Sequence, residues 1–317
     1  MSRIYSNYAY SDAPRAQCWW DQSAKPVDRP GLAGDLSCDV AIIGGGYTGI
    51  SAALHLAQAG VSVAVLESRF VGWGASGRNG GFCCLGGGML DDRALDRAFG
   101  RKGRFEWRRT EVEAVRFVEG IIDRLDLDVD RHSDGETRFA HRLRDFEDMR
   151  QEVASCAENY GLTARLIGQS DLIAEGMNGG FEGALTTPIG FGLNPRKYID
   201  GLAQAAERAG AGIFHDTPVQ ALRRGAAGFE VQTARGTVKA AKVIVGTNGY
   251  SADDLPNWFA ARYMPTQSSV IVTRPMTRSE LESQGWTSRQ ASYDTRHLLH
   301  YFRLMPDNRM LFGVRGG

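Results

Sequence analysis

Apolar and polar positions along this chain fall into blocks of two periods. Residues 39–43 are apolar after Asp39, the mark of a short strand buried on both faces. From Ile50 the apolar positions recur through Leu54, Leu56 and Ala57 at helical spacing, and Gly60 predicts the stop. Residues 61–66 form a second β-rich run, closed by Glu67. Strand, turn, helix and strand within about thirty residues is the length of one βαβ unit. Farther on, Val112, Val115, Val118, Ile121, Ile122 and Leu125 predict a long amphipathic helix over 104–128, whose charges read as a solvated face. A strand is predicted at 137–141, a helix at 145–160 stopped by Gly161, and loops over 171–183. A further helix at 196–209 starts after Asn194 and Pro195. Short strands are predicted at 213–222, 229–233, 237–239 and 243–246, with a turn at 223–228. From residue 255 the segments are β-rich and aromatic (269–273, 297–304, 309–313), and Met305-Pro306-Asp307-Asn308 makes a hairpin of the last two. Residues 1–36 read as an irregular arm broken by Pro14, Pro26, Pro30, Gly31 and Gly34, with Trp19 and Trp20 pinning it to the domain surface.

The turn between the first strand and helix is GGGYTG, residues 44–49, which fits G-x-G-x-x-G. Gly44 allows the tight turn, Gly46 lets backbone approach a pyrophosphate, and Gly49 lets helix and strand pack closely. Tyr47 and Thr48 open the helix, whose free N–H groups and positive dipole end suit phosphate. Glu67, at the end of the second strand, is placed to accept from a ribose diol and would repel a 2′-phosphate, which argues against NADP. A chain with 39 glycines produces accidental matches, so the order of the elements carries the reading. A βαβ unit without nucleotide is the alternative, and NAD and FAD both remain open here.

A second glycine-rich stretch, GWGASGRNGG, covers residues 72–81. Half of it is glycine, so main chain can lie against a flat or charged ligand. Ser76, Gly77, Arg78, Asn79, Gly80 and Gly81 are the candidates in it, with Arg78 suited to a pyrophosphate and Asn79 to a ribityl chain or ring edge. A flexible surface loop with a solvated arginine is the alternative. On the strand at 297–304, alternation puts Tyr301 and Arg303 on one face, where they are candidates to clamp a substrate carboxylate. An edge strand showing solvated groups is the alternative, and His300 lies on the opposite face.

Together GGGYTG, the acidic strand end and GWGASGRNGG resemble the D-amino-acid oxidase-type FAD-dependent oxidoreductases, within them the gamma-glutamylputrescine oxidase group. The resemblance implies FAD as cofactor, its ADP half on the first motif and its pyrophosphate and flavin along the second. It implies that the Val219 main chain contacts adenine and that residues 242–249, Thr247 included, close over the same half. The implied fold is α/β: a Rossmann-like FAD-binding domain from 1–128 and 189–252, plus a discontinuous α+β substrate domain with an antiparallel sheet from 129–188 and 253–317. The implied reaction is oxidation of an amine or amino acid by hydride transfer to flavin, with molecular oxygen as acceptor. Members of the family continue past the position matching Gly317, so the chain is expected to be a C-terminally truncated form.

Charge narrows the partners. Lysine plus arginine equals aspartate plus glutamate, 37 each, so no global field attracts nucleic acid or an anionic membrane. No apolar run approaches bilayer length, and the polar, aromatic N-terminus lacks a secretory pattern; the expected location is cytoplasmic. The five cysteines show no metal-binding spacing, and the adjacent Cys83 and Cys84 read as small apolar fillers before redox partners. Two further functions stay in view: an NAD-linked dehydrogenase, which leaves residues 72–81 without a role, and an inactive or FAD-binding-only fragment.

Overall fold

A computed structural model of the chain describes Asn7, residues 11–13, 18–86, Gly88, and residues 90–225, 227–266 and 268–315; Pro14 and Gly317, named above, lie outside the described residues. In chain order the strands are β1 Leu36–Ile43, β2 Val63–Leu66, β3 Phe82–Cys84, β4 Glu136–Ala140, β5 Arg165–Gly168, β6 Gly183–Thr187, β7 Gly190–Gly192 and β8 Gly212–Phe214. They continue as β9 Val219–Gly225, β10 Gly228–Thr233, β11 Gly236–Val245, β12 Ser268–Val272, β13 Ala291–Asp294, β14 His300–Leu304 and β15 Met310–Arg315. The helices are α1 Trp19–Ser23, α2 Tyr47–Gln58, α3 Asp92–Arg124, α4 Leu143–Tyr160, α5 Pro195–Arg208 and α6 Arg278–Gln284.

The chain divides into two compact units, one of Met1–Asn79 with Pro195–Thr266, the other of Gly80–Asn194 with Gln267–Gly317. The first holds a six-stranded sheet ordered β8-β2-β1-β11-β10-β9. β1 lies parallel to β2 and to β11, and β2 parallel to β8, whereas β10 runs antiparallel to both β11 and β9. All four residues at the end of β1 are buried, so the strand carries core on both faces as its unbroken apolar run requires. One face packs Ala41, Ile43, Ala64, Leu66, Val231 and Val238 into a single cluster. Helices α2 and α5 pack on each other, and α2 on β1 and β2. Trp20, within α1, is buried and donates its indole N–H to the carbonyl of Asn79 at 2.9 Å, which ties the arm down.

Two strand expectations change here. The segment 213–222 is two strands, because β8 pairs parallel with β2 while β9 pairs antiparallel with β10; between them Asp216 takes φ +45° and Pro218 has no N–H to donate. Conversely 237–239 and 243–245 belong to one strand, β11, whose first half pairs with β10 and whose residues 238–245 run beside β1.

The second unit holds a seven-stranded sheet ordered β12-β15-β14-β13-β4-β6-β5, antiparallel except for the β13–β4 pair, and a separate β3–β7 ribbon. Phe139, Trp286, Phe302 and Leu304 share one core; Ala140, Phe146, Met149 and Leu185 share another beneath α4. The long helix starts earlier than expected, since Asp91 caps it by accepting from Ala94 N–H at 2.7 Å, and Gly100 at φ +69° breaks it into two segments. It ends at Arg124, and Asp126 beyond it adopts φ +50°. Helix α3 packs on α4 and β3, so it belongs to the second unit. The expected boundaries at 128/129, 188/189 and 252/253 therefore move to 79/80, 194/195 and 266/267. For the first of these the reason is that α3 packs on α4 and β3.

Candidate nucleotide and substrate site

The first glycine turn is built by contacts that leave no room for side chains. Gly44 takes φ +106°, and a Cβ there would stand 2.8 Å from the Gly246 carbonyl oxygen. A Cβ on Gly49 would overlap the Gly44 carbonyl and crowd Ile42. Helix α2 begins at Tyr47, with Gly46 as a cap that has no side chain to offer. The first-turn amides of such a helix have no intrahelical acceptor and face outward with the positive end of its dipole. Thr48, in that turn, is exposed.

Glu67 is buried, yet both carboxylate oxygens are in use. Oε2 accepts from Gly45 N–H at 2.7 Å; Oε1 accepts from Arg69 N–H at 2.9 Å and from the Ser68 hydroxyl at 3.1 Å. Burial pushes its pKa up and these hydrogen bonds pull against that. Glu67 thus clamps the first turn to the end of β2.

The second glycine stretch lies against the first. Gly72 N–H donates to the Gly45 carbonyl at 2.9 Å, and Tyr47 N–H donates to Ser76 Oγ at 3.0 Å. A Cβ on Gly46 would meet Ser76 Oγ at 2.9 Å, so Gly46 is small because the second turn comes this close. Gly77 is buried, and its Cβ would meet the Arg196 guanidinium at 3.1 Å. The Arg78 guanidinium lies over the Trp73 ring, 4.9 Å from its centroid, and bonds the Tyr250 hydroxyl. Asn79 Nδ2 donates to the carbonyls of Ala75 and Ser76 at 3.2 and 3.1 Å, fastening its own turn. Val219 opens β9 with its side chain in the sheet core. Thr247 follows β11, hydroxyl on Ser251 Oγ at 2.6 Å, and its amide nitrogen lies 3.4 Å from where a Cβ of Gly44 would be. Motif residues 44–49, Glu67, Ser76 and Thr247 are therefore brought together within the first unit, and a dinucleotide's phosphate and ribose half fits a helix N-terminus for the phosphate beside one buried carboxylate as acceptor for the ribose.

In the second unit, Gly80 and Gly81 lie under the face of β14 that carries Tyr301 and Arg303. The Tyr301 ring meets Phe82 edge-on at 5.6 Å between centroids, and its hydroxyl pairs with Ser268 Oγ at 2.8 Å. Arg303 corrects the expectation of an open carboxylate clamp. It is fully buried, and its guanidinium donates to the carbonyls of Gly80 at 3.0 Å and Leu193 at 2.7 Å and meets His132 Nε2 at 2.7 Å. Burial lowers its pKa to about 9. Arg303 is a rivet between Gly80 and Leu193, not a side chain presented to a substrate. Alternation gave the right face but says nothing of what covers it. Sequence reading also missed His215, Arg196 and His132, which lie outside both glycine motifs and whose contacts with Val71 and Arg303 join residues more than 100 positions apart.

The sequence pattern of the FAD dependent oxidoreductase (DAO) family matches residues 39–316. The chain is a member of that family. Gamma-glutamylputrescine oxidoreductase of Escherichia coli strain K12 is 31% identical over 281 residues, covering 88% of this chain and 64% of that protein. A probable oxidoreductase OrdL of Haemophilus influenzae is 29% identical over 312 residues, covering 97% of this chain and 71% of the relative. The chain thus spans about two thirds of the length of these relatives. Glycine oxidase from Bacillus cereus superposes with a TM-score of 0.67 at 20% identity, over 88% of this chain and 71% of that one, which supports the family fold. FAD is the cofactor of the family, and both turns described above lie within the matched residues. Among the described residues no helix is long and apolar enough to cross a membrane.

Proposed function

We propose that this chain binds FAD and oxidises a carbon–nitrogen bond of an amine or amino acid, a gamma-glutamylputrescine-like compound by preference, with oxygen as acceptor. The observation that carries the reading is the seam between two bare turns, Gly72 to Gly45 and Tyr47 to Ser76, at the N-terminus of α2. The residues assigned to FAD are Gly44, Gly46, Tyr47, Thr48, Gly49 and Glu67, then Ser76, Gly77, Arg78, Asn79, Gly80 and Gly81, with Val219 and Thr247. The amides at the start of α2 attract the pyrophosphate, and the Glu67 carboxylate orients the ribose. Arg78, held by Trp73 and Tyr250, keeps further N–H donors for a phosphate oxygen. Tyr301 is assigned to the substrate side, steadied by Ser268 and Phe82. When bound, the isoalloxazine supplies the two-electron sink; the chain supplies position and dryness. In sum an amine, oxygen and water become a carbonyl compound, ammonia and hydrogen peroxide.

The experiment is an absorbance spectrum of the purified chain, then FAD titration and peroxide release across a panel of amines. A yellow protein releasing peroxide with gamma-glutamylated diamines is expected. A colourless chain that takes up no added FAD refutes the cofactor assignment, while a yellow chain silent across the panel removes only the oxidase part. Glu67→Ala weakens FAD binding by roughly tenfold or more, because a charge-assisted hydrogen bond is lost together with the Gly45 anchor.

A further inference from the structure

The residue that opens the second glycine turn is gripped on both of its backbone groups by side chains from elsewhere in the first unit. Val71 is buried at 1% exposure. Its N–H donates to His215 Nε2 at 3.0 Å, and its carbonyl accepts from the guanidinium of Arg196. Arg196 is itself fully buried and pairs with both carboxylate oxygens of Asp200, at 2.8 and 2.9 Å. The same guanidinium fills the space that side chains on Gly72 and Gly77 would need, with 3.0 and 3.1 Å left for a Cβ. The turn is wound around Arg196. His215 reaches Val71 because its own segment is laced alongside: His215 N–H to Pro30 O, Asp216 N–H to Arg69 O, and Thr217 N–H to Glu67 O, at 3.0, 2.8 and 2.9 Å.

We propose that His215 and Arg196 are positioning residues for the bound dinucleotide: by holding Val71 from both sides they set residues 72–77 against the start of α2 before any ligand arrives. For the identity of that ligand the proposal rests on the FAD reading above. Displacing Val71 displaces Gly72 and its bond to Gly45, and with it the approach of Ser76 to Tyr47. The assignment makes a demand on protonation, since Nε2 can accept from Val71 only while it carries no proton. Burial, then Arg29, hold the His215 pKa down to about 4; Asp216 and Glu207 oppose the shift and Arg196 adds to it. These are the charged groups facing the ring, from the arm, from α5 and from its own segment. The unfolded histidine binds a proton near its ordinary 6.5, so the folded form loses stability at this residue as pH falls from 6.5 towards 4.

The test compares His215→Leu, His215→Gln and Arg196→Lys with the parent chain, by amide hydrogen exchange over residues 71–77 without ligand and by FAD affinity from flavin fluorescence. In His215→Leu the Val71 and Gly72 amides exchange roughly tenfold faster and FAD affinity falls by a similar factor. His215→Gln, whose side-chain oxygen can stand where Nε2 does, restores both and removes this residue's share of the stability lost between pH 6.5 and 4. Arg196→Lys, able to keep a charge near Asp200 but not to bridge it to Val71, opens the Gly72 and Gly77 amides; it carries the test if His215→Leu does not fold. Parent-like exchange at residues 71–72 in His215→Leu, or no recovery in His215→Gln, overturns the proposal. If the parent chain binds no FAD, the FAD reading falls and the exchange comparison still decides whether these two side chains hold the turn.

Discussion

Gly49→Ala puts the geometry of the first turn to a test of sign as well as size. A methyl at residue 49 overlaps the carbonyl oxygen of Gly44 and stands 3.1 Å from Ile42 Cγ2. Neither obstacle is the loose end of a flexible side chain, so α2 must back away from β1. Overpacking of this kind costs up to about 3 kcal/mol. Alanine returns about 1 kcal/mol through its better helix propensity. The net expectation is a loss of about 2 kcal/mol, which lowers a urea midpoint by roughly 1 M for an m-value near 2 kcal/mol/M. Gly120→Ala is the matched control: the glycine sits exposed within α3, with no atom within 4 Å of its would-be Cβ. There only the propensity gain operates, and stability rises by about 1 kcal/mol. Urea melts followed by tryptophan fluorescence read both, and FAD titration of the Gly49 variant should show weaker binding because the first-turn amides move with α2. If Gly49→Ala melts at or above the parent midpoint and keeps its FAD affinity, the close approach of α2 to the Gly44 turn is not what shapes this site.

Arg303→Met should cost about 3 kcal/mol, since it strands the buried carbonyls of Gly80 and Leu193; a variant of parent stability that has lost peroxide release would restore Arg303 as a substrate-facing group. Burial, with Glu119 adding to it, pushes the Cys83 thiol up to about 12, and burial with Glu136 pushes Cys84 up further. At pH 8 the thiolate of Cys83 is then on the order of one part in ten thousand, and labelling of the pair by a thiol reagent should wait for unfolding. Rapid labelling of the pair in the native chain would contradict that environment.

The βαβ unit was legible because every signal for it is local: the apolar run of β1, the glycine turn, the helical spacing of α2 and the run ending at Glu67 sit in one continuous stretch. The hairpin of β14 and β15 was legible for the same reason, its turn carrying Asn308 at φ +63°. What could not be read depends on distant partners. The split of 213–222 follows from β8 and β9 pairing with different neighbours, and the unity of 236–245 from its pairing with β1 two hundred residues earlier. The place of Glu67 at the end of the second strand is legible, but its grip on the Gly45 amide shows only once the turn is folded back. The place of α3 was missed because its apolar stripe does not name the surface that will cover it.

The position of β11 beside β1 bears on how the polypeptide can be made. While a ribosome is still adding residues 70 to 235, the central strand of the parallel sheet has β2 on one side and an open row of backbone donors and acceptors on the other. That row stays bare until about two hundred further residues have emerged, including the whole long insertion from Gly80 to Asn194. Nascent chains halted before residue 245 should therefore expose a sticky apolar edge and call on chaperones, whereas release of the stretch 236–245 should let the sheet snap shut in one late step.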